Sequence, residues 1–271
     1  MPSFLFWNVM KRDLRDVVVR AVVEHAVDIL ILAESGTDDQ DLVALLNAAN
    51  RASFESLSDP EDKVRLFSSI PATHWQKRQS DPIARMAIWS IEVGPPPGIL
   101  LAAAHFQSKN NLSAGGQGLL TAELAKEICV AEENVGHNRT VLVGDLNMNP
   151  FELGVTGMNA LHAVMTKKIA GKLERTVSGK KYRFFYNPMW GHFGDCSSGP
   201  PGTYYRHGAS PDEIFWHILD QVLIRPELMK GLRDLAILEL IDGQSLLSSR
   251  GGLPLVSKFS DHLPLTFRLD L

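Results

Sequence analysis

The residues of this chain best suited to chemistry are carboxylates, amides and imidazoles that end or interrupt apolar runs. In 140–150 (TVLVGDLNMNP), Thr140 to Val143 read as a short buried strand. Gly144 lets the backbone turn, so that Asp145 and Asn147 emerge at the strand's carboxyl end. Sheets of the α/β class place their chemistry at that end. Two apart on an extended chain, Asp145 and Asn147 point to one side and bring an anionic oxygen and a neutral amide to a shared point. Such a pair suits a hard cation, a phosphate or an attacking water; it equally suits a plain turn after a strand, because Gly, Asp, Asn and Pro are the usual turn residues. The run 28–34 (DILILAE) is aliphatic inside and ends in Glu34, a carboxylate that needs a partner at the buried end of a sheet. Asn8 is the polar residue that follows the apolar stretch Phe4 to Trp7 near the end of the run 3–9 (SFLFWNV). His105 follows the run 99–104 and is either a satisfied structural histidine or a proton donor or phosphate ligand. Asp220 interrupts 215–226 (FWHILDQVLIRP), where a carboxylate is costly unless it is paired or ligates something. Ser260-Asp261-His262 adds a carboxylate and an imidazole directly before the last apolar run.

These groups need a sheet to gather them. Stretches 3–9, 28–34, 99–104, 215–226 and 234–241 read as strands, and 52–58, 63–69 and 83–93 read as successive strands of a meander. Apolar residues three and four apart predict a helix over 14–27, and further helices are expected over 39–49, 119–134 and, shorter, 157–165. The strand–helix–strand order at the start implies a parallel pair with Asn8 and Glu34 at one edge. Pro95-Pro96-Pro97-Gly98 is a turn, and 109–118 reads as a flexible loop rich in Asn, Ser and Gly.

Beyond Pro150 the pattern changes. Segment 167–181 carries six lysines or arginines against one acid, Glu174, and 184–206 is dense in aromatic and turn residues. The two together form either a stacking and electrostatic surface for nucleotides or a long loop that packs its own aromatics. The candidate contacts are Lys180, Lys181, Arg183, Tyr186, Asn187, Trp190, Tyr205 and Arg206.

With 271 residues, 45% hydrophobic and 21% charged, the chain has the composition of a globular protein with a sizeable core. A net charge of −4 and a pI near 6.1 exclude a global basic field, so any contact with a polyanion must be local or assisted by a cation. Cys129 and Cys196 are the only cysteines, which excludes a disulfide framework and a cysteine-built zinc site. The start Met-Pro-Ser-Phe-Leu-Phe-Trp lacks the features of a signal peptide, and no apolar run approaches the roughly 20 residues that span a bilayer. A cytoplasmic location is expected, with no membrane association and no obligate protein partner.

The ordered set Asn8, Glu34, His105, Asp145 with Asn147, Asp220, and Asp261 with His262 resembles the endonuclease/exonuclease/phosphatase superfamily, of which deoxyribonuclease I is a member. The likeness runs from Phe6-Trp7-Asn8 to Ser260-Asp261-His262, with GDLN where GDFN is commoner and LAES where LQE is commoner; both changes leave the chemical groups intact. The resemblance implies an α/β fold of two mixed β-sheets packed as a sandwich and flanked by α-helices. It further implies a single catalytic domain over 1–271, with a loop-rich aromatic insertion near 166–212, and a metal-dependent phosphodiesterase, foremost a nuclease on DNA or RNA. A small or lipid-derived phosphoester is the alternative substrate, and a binding module without turnover is the alternative class. By the same resemblance Glu34 would be the main Mg²⁺ or Mn²⁺ ligand, helped by Asn8 and Asp261, while Asp145 and Asn147 would hold the attacking water and a phosphate oxygen. Asp220 would orient His262, which acts on the water or the phosphate. His105, with Glu61 or Asp62 as candidate acidic partners, would stabilise the phosphorane or protonate the leaving oxygen. An oxygen-rich ligand set without thiols suits Mg²⁺ or Mn²⁺ better than Zn²⁺.

Overall fold

A computed structural model of the chain describes residues 1–50, 52–80, 85–109 and 112–271. Two mixed sheets face each other. The six-stranded sheet runs in the order Leu232–Ile237, Leu265–Leu269, Ser3–Asn8, Ile29–Ala33, Val64–Ser68, Glu55–Ser56. The seven-stranded sheet runs Trp75–Ser80, Met86–Ile91, Ile99–His105, Thr140–Asp145, Asp220–Ile224, Phe185–Tyr186, Ala163–Val164.

Period-two alternation decides which residues fill the sandwich. On the strands of the second sheet, Leu101, Ala103, Val141, Val143 and Val222 turn toward the first sheet and join Phe4, Phe6 and Phe267 in the main core. Phe4 and Phe267 stack there with ring centroids 4.5 Å apart. The alternate residues Leu100, Ala102, Ala104, Leu142 and Leu223 turn outward and are covered by Leu124, Ile128 and Ala131 of the helix Ala114–Val135. Because both faces of these strands are covered, they read in sequence as unbroken apolar runs. The helix Arg15–Glu24 connects Ser3–Asn8 to Ile29–Ala33, which pair in parallel with Asn8 opposite Ala33.

Several elements differ from the sequence-based expectation. Stretch 52–93 is not one meander: Glu55–Ser56 and Val64–Ser68 complete the first sheet, whereas Trp75–Ser80 and Met86–Ile91 belong to the second. Ile83 and Ala84, placed on a strand by the sequence, lie outside the described residues, as do Asn110 and Asn111 of the expected loop 109–118. That loop is shorter than expected, because Ser113 caps the helix Ala114–Val135 by accepting from Gly116 N at 3.2 Å. The helix expected over 157–165 is instead a single turn, Leu153–Thr156, followed by the strand Ala163–Val164. Asp220 begins its strand rather than interrupting one. Gly144 is a strand residue and not the turn: a Cβ there would sit 1.9 Å from the Ala104 carbonyl oxygen, so the glycine is required by close pairing of neighbouring strands. Among the described residues no helix is long and apolar enough to cross a membrane.

Candidate active site

Register places the chemistry. Thr140–Asp145 pairs in parallel with Ile99–His105, and His105 lies opposite Asp145. On its other side the same strand pairs antiparallel with Asp220–Ile224, and Asp220 also lies opposite Asp145. Three adjacent strands therefore end at one edge with a histidine and two aspartates abreast.

Asp145 is the junction of the site. Its Oδ2 accepts from Asn8 Nδ2 at 3.0 Å, which ties the ends of the two sheets together, and its Oδ1 accepts from Asn147 N at 2.8 Å. The Nε2 atoms of His105 and His262 lie 3.8 and 3.9 Å from Oδ2. His262 Nδ1 donates to Asp220 Oδ2 at 2.8 Å. That bond fixes the orientation of the ring and leaves Nε2 facing Asp145. Main-chain contacts hold His262 in place: Trp7 Nε1 donates to the His262 carbonyl at 2.8 Å, and Ser260 Oγ donates to the Asn8 carbonyl at 2.6 Å while accepting from His262 N. Thr203 Oγ1 accepts from Asp220 N, and the Tyr204 ring lies over the imidazole with centroids 4.7 Å apart.

The strand ends are sharply bent. Glu34 follows Ile29–Ala33 with φ +49° and Asn147 follows Thr140–Asp145 with φ +51°, a left-handed backbone that costs on the order of 1 kcal/mol in a residue with a Cβ. The bend at Glu34 is held by Lys11 N, which donates to the Glu34 carbonyl at 2.8 Å, and by Gly36, whose missing Cβ admits the Lys11 carbonyl. Asp145 and Asn147 thus do not lie on one extended chain, as their spacing predicted. The turn brings Asn147 back into the pocket, where Nδ2 donates to the Phe106 carbonyl at 2.9 Å and the amide oxygen is left for a ligand.

The pocket in front of Asp145 has a volume of about 390 Å³, and Glu34, Asn147 and Asp261 line it with both histidines. The histidines differ in charge. Burial holds His105 below the ordinary imidazole range and outweighs the carboxylates of Asp145 and Glu34, the latter 3.5 Å away. Burial acts on His262 as well, but there Asp220 and Asp145 prevail and push it up to about 10. Burial pushes the Asp220 carboxyl up to about 6 against the pull of His262. One neutral and one cationic imidazole on opposite sides of a carboxylate is the division that acid–base chemistry uses.

The oxygen donors fit a hard divalent cation: Glu34, Asp145 and Asp261 offer carboxylates to one pocket, and Asn147 offers an amide oxygen. Asp145, Asp220 and His262 bring one ligand atom each within 4.8 Å of one another. Asp220 and His262 are already hydrogen-bonded to each other, so the more open Glu34 and Asp261 are the better ligands. The carbonyl oxygen of the Asn8 amide accepts from Met10 N at 3.0 Å, and its nitrogen faces Asp145, so Asn8 serves Asp145 before any ion.

Most of the expected substrate contacts lie elsewhere. Only Arg206 lines the pocket; Tyr205 packs behind it against His207 and Trp216. Lys180 is exposed on the hairpin of Glu174–Val177 and Lys180–Arg183, where Lys181 pairs with Glu174. Arg183 joins Arg225 on the buried Glu132. Asn187 is fully buried and donates to Gln221, Tyr186 lies under Lys167, and Trp190 packs near Phe151. Neither Glu61 nor Asp62 serves His105: Glu61 is exposed and Asp62 pairs with Lys77, so the carboxylates beside His105 are Glu34 and Asp145. Sequence reasoning missed Tyr204, His217, Asn149 and Lys109. Asn149 continues the alternation Asp145, Asn147, Asn149, and that signal was available; Tyr204 and His217 become recognisable only when their two-residue strands Tyr204–Tyr205 and Trp216–His217 pair across the pocket.

No protein-family model and no curated protein sequence matches the chain. Solved structures do. The 3′ phosphatase NExo from Neisseria, bound to product DNA hairpin, superposes over 100% of both chains at 17% identity and a TM-score of 0.57. An AP endonuclease from Archaeoglobus fulgidus does so over 100% of both chains at 14% identity and 0.56. TDP2 from D. rerio, complexed with single-strand DNA product, matches over 100% of this chain and 99% of its own at 13% identity and 0.57. The two facing mixed sheets, the flanking helices and these superpositions show that the chain has the fold of these enzymes, a deoxyribonuclease I-like fold.

Proposed function

We propose that this chain is a divalent-cation-dependent phosphodiester hydrolase that acts on nucleic acid, with Mg²⁺ or Mn²⁺ as the ion. The observation that carries the reading is the alignment of His105, Asp145 and Asp220 on three neighbouring strands, with His262 bonded to Asp220 and facing Asp145. Glu34 and Asp261, with Asn147, would hold the cation, which when bound neutralises charge that develops on the phosphate oxygens. The chain's own residues divide the rest. Asp145 is the carboxylate placed to take a proton from an attacking water, with Asn8 fixing its Oδ2. His262, held as an imidazolium by Asp220, offers its Nε2–H to a phosphate oxygen as that oxygen gains charge. His105, neutral by burial, offers a hydrogen bond to the phosphorane or the leaving oxygen from the opposite side of Asp145.

A nucleic-acid substrate is supported by the DNA held in the NExo and TDP2 structures and by Arg206 at the pocket. The second reading, a small phosphoester, is favoured by the net charge of −4 and by the internal pairing of Lys181 and Arg183. Incubating the purified protein and Mg²⁺ or Mn²⁺ with single-stranded DNA, duplex DNA, RNA and an aryl phosphodiester separates the two. Cleavage of the aryl ester with every polynucleotide intact would reject the nucleic-acid reading, and full activity in excess EDTA would reject the cation.

A further inference from the structure

The pocket has a graded wall. At its floor the side chains of Asp145, His262 and His105 are 2%, 8% and 12% exposed, whereas at its mouth Lys109 and Arg206 are 41% and 55% exposed. These two cations are the open rim of the site and not part of its buried floor. Both are nonetheless held rather than loose. Lys109 Nζ donates to Glu152 at 2.6 Å, and Glu152 also accepts from Asn149 N at 2.8 Å. Arg206 Nε lies 3.6 Å from Glu213 Oε2.

The loop that carries Arg206 is built around Glu213. Arg206 N donates to the Phe215 carbonyl at 2.8 Å and closes the loop. Inside it, Glu213 Oε1 accepts from Phe215 N at 3.0 Å and from His217 Nε2 at 2.8 Å, and its side chain is only 5% exposed. Phe215 adopts φ +65°, a strained conformation for an aromatic residue, and a Cβ at Gly208 would come 2.4 Å from Glu213 Oε2. A strained backbone wrapped on a carboxylate points to a role for that carboxylate. His217 joins the two sides. Asn149 Oδ1 accepts from Ile218 N, so Asn149 Nδ2 is the donor to His217 Nδ1, and both ring nitrogens are committed. His217 therefore accepts at Nδ1 and donates at Nε2, bracing the two sides, and a continuous chain of polar contacts runs Lys109, Glu152, Asn149, His217, Glu213, Arg206.

We infer that Lys109 and Arg206 form a braced pair of cations that takes the phosphates flanking the scissile one, with Glu152 and Glu213 as positioning residues. The proposal rests on the phosphodiesterase reading and deepens it: the substrate is a strand with phosphates on both sides of the cut, not an isolated phosphoester. Each cation keeps donors beyond those it spends on its glutamate, since an ammonium has three and a guanidinium five.

The test is binding of a fluorescent single-stranded oligodeoxynucleotide, by anisotropy against salt in Mg²⁺, beside turnover of that strand and of an aryl phosphodiester. Arg206→Ala and Lys109→Ala are each expected to raise Kd about tenfold and to lower the slope of log Kd on log salt by about 0.7, the contribution of one phosphate contact in a single strand. Selectivity for the oligonucleotide over the aryl ester should fall about tenfold in each. Glu213→Gln keeps the acceptors for Phe215 N and His217 but weakens the hold on Arg206. It should lower affinity by less than Arg206→Ala does, and the double variant should be no worse than Arg206→Ala alone, while Arg206→Lys retains most of the binding. A slope unchanged in Arg206→Ala, additive losses in the double variant, equal losses on both substrates, or no binding of the strand by the wild-type protein would overturn the inference. Wild-type protein that hydrolyses neither substrate with Mg²⁺ or Mn²⁺ would instead overturn the phosphodiesterase reading.

Discussion

Replacing Asp220 by asparagine removes one charge and almost no volume, and it probes the reason for the whole edge arrangement. Asp220 is fully buried, and its Oδ2 accepts from His262 Nδ1 at 2.8 Å. Burial favours the neutral imidazole, and Asp220 is the largest single influence that reverses this and pushes His262 up to about 10. In Asp220→Asn the burial remains while that charge is gone. His262 should then titrate well below its wild-type value, with only Asp145 and Asp261 still opposing burial, and lose much of its charge at about pH 8. Removing one partner of a buried ion pair costs on the order of 3 kcal/mol of stability. The loss of an imidazolium facing the phosphate should lower kcat by about 10²-fold or more. The assay is a ¹⁵N-resolved NMR titration of the His262 ring in metal-free wild-type and variant protein, with steady-state rates in Mg²⁺. The double variant Asp220→Asn/His262→Ala should be little slower than His262→Ala, because the two residues act as a unit. A cationic His262 near pH 8 in Asp220→Asn, together with wild-type kcat, would refute this coupling.

Further outcomes follow from the same geometry. For both members of the pair the folded pKa lies above the unfolded one, so the folded state keeps the extra proton. In metal-free protein, stability should fall as pH rises from about 4 to about 6 through Asp220, and again from about 6.5 to about 10 through His262. Urea midpoints of wild-type protein across that range should show both declines, and those of His262→Ala should lack the second. His105→Ala should slow a substrate with an alkoxide leaving group far more than one with an activated aryl leaving group, because the latter needs little help at the departing oxygen. Equal slowing of both would assign His105 to phosphate positioning. Lys180→Ala/Lys181→Ala should weaken oligonucleotide binding less than Arg206→Ala alone, since that hairpin does not line the pocket; a larger effect would return the basic segment to the substrate surface.

Much of the sheet framework was legible because strands buried on both faces leave unbroken aliphatic runs, and the polar residues Asn8, Glu34, His105 and Asp145 stood out at the ends of those runs, although a structural histidine or a plain turn fits the same positions. Asp220 and His262 were legible as residues, and their contact only through the family resemblance, since the strand register that sets Asp220 opposite Asp145 is a tertiary fact. The strand Trp75–Ser80 was hidden because its residues Gln76, Lys77 and Arg78 are polar and its place is the edge of a sheet. The first turn of Ala114–Val135 was hidden by its glycines, where only the cap at Ser113 signals a helix. Basic side chains misled for a different reason. Composition counts Arg183 as positive surface, but its charge is spent on the buried Glu132, whereas Arg206 and Lys109 reach the pocket from loops that carry no motif.

The most direct test of the central claim, that the Asp145 edge is a cation-assisted phosphodiester-cleaving centre, is a time course of cleavage of a labelled single-stranded oligonucleotide by wild-type, Asp145→Asn and Glu34→Gln proteins in Mg²⁺, each repeated in EDTA. Cleavage by the wild type alone, abolished by EDTA and at least about 10²-fold slower in both variants, is the predicted result. Cleavage that survives EDTA, or that proceeds at the wild-type rate without the Asp145 carboxylate, would contradict it.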